Sequence, residues 1–128
     1  MITALYASLL AALMIWLSFQ VIKQRRSNQV AYADGGVESL QIARSAQGNA
    51  VDYIPITLIL MALVEYNGAP AVWIHVIGVS FLVGRWMHAD GILNRRFKGR
   101  VRGMKVTIFA MAGLIVSNLF YLPFDRLL

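Results

Sequence analysis

Four long apolar stretches separated by polar connections constrain this chain more than any single motif. The first, Ile2 to Ile22, contains no charged residue and is closed by Lys23, Arg25 and Arg26. A hydrocarbon core roughly 30 Å thick is crossed by about 20 apolar residues in a helix. In lipid, every backbone N–H and C=O must pair within the spanning structure. The run therefore predicts a retained transmembrane helix over about residues 2–22. A cleaved signal peptide is the alternative, but the run exceeds an h-region of about 7–15 residues, lacks a basic n-region and leads into charges where a small-residue cleavage site belongs. Composition agrees, with 59% hydrophobic and 14% charged residues, against the near half and near quarter usual in soluble domains.

The second apolar run begins near Ala50, passes through Ile54-Pro55-Ile56 to Val64, and stops at Glu65-Tyr66-Asn67-Gly68, where Asn and Gly mark a helix end. Pro70 opens the third, Ala71 to His88, and the fourth runs from Val106 to Leu122 before Pro123. These predict helices over about 47–66, 70–89 and 103–122. The fold class is thus an all-α membrane protein, a four-transmembrane-helix bundle forming a single domain over 1–128. The very short second connection makes helices two and three an antiparallel hairpin. The longest connection runs from Lys23 to about Gln47, with Asp34-Gly35-Gly36 as its turn signal. With no cysteine, disulfides, thiolate metal sites and a cysteine nucleophile are excluded. No Ser-His-Asp order, Gly-rich phosphate loop or metal-ligand cluster is visible, so hydrolase, nucleotide-binding and metalloenzyme readings have no support and no metal site is expected.

Ten of the 12 basic residues flank the first and third connections: Lys23, Arg25, Arg26, Arg44, Arg95, Arg96, Lys98, Arg100, Arg102 and Lys105. Cytoplasmic loops carry such an excess, so that face is expected in the cytoplasm and both termini outside it. Placement beside apolar runs also argues against nucleic acid as the partner of a chain with net charge +6. The same topology gathers polar residues distant in sequence. Asn49, Asp52 and Tyr53 at the start of helix two meet Arg85, His88 and Asp90 at the end of helix three. Ser45, Asn49, Asp52 and Tyr53 are spaced i, i+4, i+7 and i+8, which puts them on one helical face. That face should turn toward a partner helix or cavity rather than lipid. Arg85 is the natural counter-charge for Asp52. A plainer account makes those two a structural ion pair, makes Tyr53, Trp73, Trp86 and Tyr121 interfacial belt residues, and makes the basic connection a topology determinant or anionic-lipid contact. His75 reads as packing or interfacial, and Glu65 as a solvated helix end. Clustered arginines would suit a ligand bearing carboxylate or thiolate, since guanidinium binds carboxylate bidentately and cations lower a thiol's pKa.

The segment Arg44-Ser45-Ala46-Gln47-Gly48-Asn49-Ala50-Val51-Asp52-Tyr53-Ile54-Pro55, preceded by Val30-Ala31-Tyr32-Ala33-Asp34-Gly35-Gly36, resembles the signature of the MAPEG family, the membrane-associated proteins in eicosanoid and glutathione metabolism, and its bacterial branch most. The long first connection, Gly84-Arg85 and the basic turn before helix four extend the resemblance over the whole chain. It implies a homotrimer in a bacterial inner membrane, with glutathione as co-substrate bound between neighbouring subunits near the cytoplasmic face. It also implies transferase or peroxidase chemistry on lipophilic electrophiles through an arginine-stabilised thiolate. Carried over by position, Asn49, Asp52 and Tyr53 contact glutathione from helix two and Arg85 from helix three, and Arg26 reaches it from the adjacent subunit. Three positions depart from the family pattern. Ser45 stands where an arginine usually precedes the Asn by four residues, with Arg44 displaced by one position. Gln47 stands where bacterial relatives often have His, and His88 where the eicosanoid enzymes often have Tyr. The thiolate-stabilising arginine is assigned to Arg100 ahead of Arg96 and Arg102. Membrane lipids are the other expected partners. A non-catalytic assembly or lipid-binding subunit is the alternative function, while a small multidrug exporter is disfavoured because helix one carries no acid.

Overall fold

The computed structural model describes residues 1–127. Helices α1 (Thr3–Asn28), α2 (Glu38–Tyr66), α3 (Ala71–Leu93) and α4 (Phe97–Phe120) are followed by a 3-10 turn at Phe124–Arg126. All four are long and apolar enough to cross a membrane, and no strand is present among the described residues. The helices outrun the expected bounds: α1 continues past 22 to Asn28, α2 begins at Glu38 instead of 47, and α4 begins at Phe97 instead of 103. Hydropathy marks where lipid ends, whereas Lys, Arg, Gln and Glu are good helix formers that carry the backbone on into water.

The first connection shrinks accordingly to residues 29–37. Gln29 caps α1 in the left-handed region at φ 53°, and Ala33, Gly35 and Gly36 also take positive φ. The turn read at Asp34-Gly35-Gly36 is present, with Asp34 Oδ1 accepting from the Gly36 amide at 2.8 Å. Arg25 donates to the Ala33 carbonyl at 2.8 Å and ties the loop to α1.

α2 and α3 form the expected antiparallel hairpin in the middle of the bundle. α1 packs against both and α4 packs against both, while the backbones of α1 and α4 are not neighbours among the described residues. Buried α1 positions Thr3, Tyr6, Leu10, Leu13, Leu17 and Val21 recur every three or four residues, as a packed stripe must. Leu10, Leu17, Ala46, Ala50, Ile54 and Phe81 build one core cluster; Tyr6, Met61, Val64, Ile74 and Leu114 build another toward the opposite end. The outward faces are just as apolar, with Leu5, Ile15, Phe19, Ile59, Val79, Phe109 and Val116 exposed. Such a surface suits lipid and not water.

Two features set the register at the ends. Where α3 crosses α4, a Cβ on Gly91 would collide with the Arg100 backbone and one on Gly103 with the His88 backbone. Small residues permit this close approach, here Gly84 and Gly91 on α3 and Gly103 on α4. At the other end, Glu65 is not the solvated helix end expected of it. Its carboxylate accepts from the Ile2 amide, the Thr3 amide at 2.8 Å and the Thr3 hydroxyl at 2.5 Å, satisfying donors that the first turn of α1 leaves free. His75 also has a partner, since the Tyr6 hydroxyl pairs with its Nδ1 at 2.7 Å. Trp73 Nε1 donates to Ser117 Oγ at 2.8 Å, joining α3 to α4.

Candidate functional site

Arg85 is the focus of the polar end. α3 runs on to Leu93, so Arg85 is not at the helix end but about two turns inside it, where its side chain is fully buried at 0% exposure. Nη2 donates to Asn49 Oδ1 on α2 at 2.6 Å. The guanidinium carbon stands 5.6 Å from the centre of the Tyr53 ring, within reach of a cation–π interaction. Nε and Nη1 have no hydrogen-bond partner among the described residues, and neither does Nδ1 of His88, one turn further along. His88 is 3% exposed. A buried cation normally has its donors satisfied, so two free donors beside a free ring nitrogen make this cluster suited to an acceptor-rich ligand.

Asp52 does not pair with Arg85. The ion pairs among the described residues are Arg95 with Glu38 at 3.4 Å and Arg96 with Asp90 at 3.3 Å. The reason is azimuthal: Asp52 lies two positions, about 200°, from Ala50, which faces the core. Its side chain is exposed on the outside of α2, as are Ser45 and Gly48, whereas Asn49 and Tyr53 are half-buried at the edge of the bundle. The polar stripe therefore divides, one part turned to Arg85 and the other turned outward. Asp90 accepts from Asn94 Nδ2 at 2.7 Å and from Arg96, and so belongs to the α3–α4 turn.

A cavity of about 350 Å³ opens where the start of α2, the end of α3 and the start of α4 meet, with Ser45, Ile42, Gly91, Phe97 and Arg100 in its wall. The contact of Gly91 with the Arg100 backbone and of Gly103 with His88 puts Arg100 about one turn of α4 from the level of His88. Arg44 sits beyond the Ser45 ridge in a separate depression with Asp34 and Gln41. Arg26 lies on a different flank of α1 with Phe19 and Lys23. Within one chain, then, Asn49, Tyr53 and Arg85 come together, His88 and Arg100 border them, and Asp52, Arg44 and Arg26 stay apart. Sequence reasoning missed the Gln47 Nε2 bond to Ser18 Oγ at 3.0 Å, which locks α2 to α1, and the glycine crossing that seats α4.

Four membrane-length helices with a buried arginine, held by a half-buried asparagine and tyrosine toward the basic end, define a small polytopic membrane protein with a polar site built between its helices. The profile of the MAPEG family matches residues 3–120. The chain belongs to that family. It is 43% identical over 125 residues to the inner membrane protein YecN of Escherichia coli K12, spanning 98% of this chain and 95% of that one. Identity and coverage are the same for YecN of Escherichia coli O6:H1.

Proposed function

We propose that this MAPEG membrane protein binds glutathione at its basic end and uses it as a transferase or peroxidase acting on lipophilic electrophiles. The observation that carries the reading is Arg85: a fully buried guanidinium, fixed by Asn49, with Nε and Nη1 free among the described residues. Glutathione offers two carboxylates, an ammonium, amide groups and a thiol, and supplies the sulfur nucleophile. Arg85 and Arg44 hold the carboxylates, Asn49 and Tyr53 hydrogen-bond the peptide backbone, and Asp52 receives the ammonium. His88, one helical turn beyond Arg85, offers its unpartnered Nδ1 to the ligand. Arg100 favours thiolate over thiol; one pKa unit of that preference corresponds to about 1.4 kcal/mol, within what one arginine close to sulfur supplies.

The outward position of Asp52, Arg44 and Arg26 fits a site completed between subunits of a homotrimer, with Arg26 supplied by the neighbour. The proposed setting is a bacterial inner membrane with the first and third connections in the cytoplasm and both termini outside. Calorimetric titration of the detergent-purified protein with glutathione, followed in parallel by thiolate absorbance in the ultraviolet, tests the reading. Saturable binding lost in Asp52→Ala and Arg85→Ala supports it, and Arg100→Ala should keep binding but lose the thiolate signal. No heat at millimolar glutathione overturns it.

A further inference from the structure

A second cavity system lies away from Arg85, between α1 and α3. Its inner part, about 580 Å³, is walled by Leu9, Leu13 and Trp16 from α1 and by Leu82, Val83 and Trp86 from α3. Trp16 also borders a polar cavity of about 240 Å³ whose wall includes Gln20, Gln24, Asn94 and Arg95. Leu9, Leu13, Trp16, Gln20 and Gln24 follow one another at three- and four-residue steps, so a single face of α1 floors one continuous groove. That face spans about 22 Å of helix rise. A single leaflet contributes about half of a 30 Å hydrocarbon core, so the apolar part of the groove lies at acyl-chain depth and the glutamines at headgroup level.

Charge follows the same gradient. The polar cavity has one charged group in its wall, Arg95, and no acid. Arg95 reaches Glu38 at 3.4 Å, but the two side chains are 62% and 70% exposed, and so open a pair holds its arginine weakly. Arg95 also takes a left-handed φ of 55°, uncommon for such a residue; that backbone sets the arginine at the end of α3, beside the groove. Both indoles are partly exposed, Trp16 at 37% and Trp86 at 54%, so the apolar part is accessible from the lipid side.

We infer that this groove is a site for an anionic phospholipid of the leaflet at the basic end, one acyl chain lying between Trp16 and Trp86 and the headgroup phosphate at Arg95, Asn94 and Gln24. Charge complementarity argues for an anionic rather than a zwitterionic lipid, and the length of the apolar part for a leaflet lipid in its normal orientation. Nothing in this assignment rests on the glutathione reading, although Arg95 also stands in the wall of the cavity that holds Arg100.

Quenching of Trp16 and Trp86 fluorescence by lipids brominated on the acyl chain tests it, in a Trp73→Phe background and neutral-detergent micelles. Brominated phosphatidylglycerol should half-saturate at about fivefold lower mole fraction than brominated phosphatidylcholine, the preference expected of one arginine at an anionic headgroup. Arg95→Asn removes the cation with a residue that tolerates positive φ and should bring the ratio to about one. Gln24→Glu should do the same by repulsion, and Lys98→Asn, outside both cavities, should leave the preference intact. Equal quenching by the two lipids, a preference that survives Arg95→Asn, no saturable quenching, or tighter quenching by brominated fatty acid than by phosphatidylglycerol would each overturn the assignment.

Discussion

Replacing Asn49 by Leu removes the single hydrogen-bond acceptor that Arg85 has among the described residues, 2.6 Å from Nη2. Because Nε and Nη1 are already unpartnered and the side chain is fully buried, the guanidinium keeps only the face of Tyr53 at 5.6 Å. A hydrogen bond to a charged group contributes about 1.5–3 kcal/mol. Loss of one partner from a buried ion pair costs roughly 3–5 kcal/mol; Asn49 is neutral, so the lower range applies. Removing both partners for apolar groups of like size is near neutral or stabilising. Asn49→Leu should thus lose about 1.5–3 kcal/mol, and Asn49→Leu/Arg85→Met should recover most of it. Unfolding by SDS titration in mixed micelles, followed by helical circular dichroism, gives the four corners of the double-mutant cycle. An Asn49→Leu protein within about 0.5 kcal/mol of the parent, or a double variant less stable than both singles, would refute the argument. Titrating the same proteins with glutathione separates structure from function: the double variant should regain stability without regaining affinity.

Three further outcomes follow from the ends of the bundle. Gly91→Ala should destabilise by about 1–3 kcal/mol because its Cβ meets the Arg100 backbone, while Gly99→Ala, whose nearest neighbour is at 3.8 Å, should be neutral or stabilising in the same SDS titration. Glu65→Ala should speed amide hydrogen exchange at Ile2 and Thr3, which the carboxylate now holds; unchanged exchange would mean that this clasp does not persist in solution. Since the chain has no cysteine, single Ser27→Cys and Asn67→Cys variants report topology directly, the second labelling from outside intact cells and the first only after the membrane is breached.

The four spans and the α2–α3 hairpin were legible because lipid imposes a length and a composition that appear in the sequence as uninterrupted apolar runs. Helix ends were not, since Arg25, Arg26, Glu38 and Gln41 change the solvent without ending the helix. The meeting of Asn49, Tyr53 and Arg85 could be read from spacing and topology. The pairing of Asp52 with Arg85 could not, because charge complementarity ignores azimuth and Asp52 points outward. Tyr6 and His75 are far apart in sequence and on helices that are not sequence neighbours, so only the packing of α1 on α3 brings them together. The α3–α4 crossing depends on Gly91 and Gly103, which stand on different helices and are recognisable as partners only once those helices are laid side by side.

Asp52 poses the sharpest question about assembly. It lies about 20 Å along α2 from Glu65, which clasps the start of α1 and is taken as one boundary of the hydrocarbon. With a core roughly 30 Å thick, Asp52 is then about 10 Å inside the other boundary, and its side chain is exposed on the single chain. A carboxylate facing lipid at the centre of a helix costs about 2.5–3.5 kcal/mol, less toward the boundary. The sign of the Asp52→Leu effect therefore decides what covers the stripe. If lipid covers it, Asp52→Leu raises stability and leaves the mass in detergent unchanged. If a second copy of the chain covers it, the variant loses the polar contact that Asp52 makes across the interface, and light scattering should show the assembled particle shifting toward single chains. The second outcome is the one the proposed intersubunit site requires, since it sets the outward Asp52 against a neighbouring chain and not against lipid.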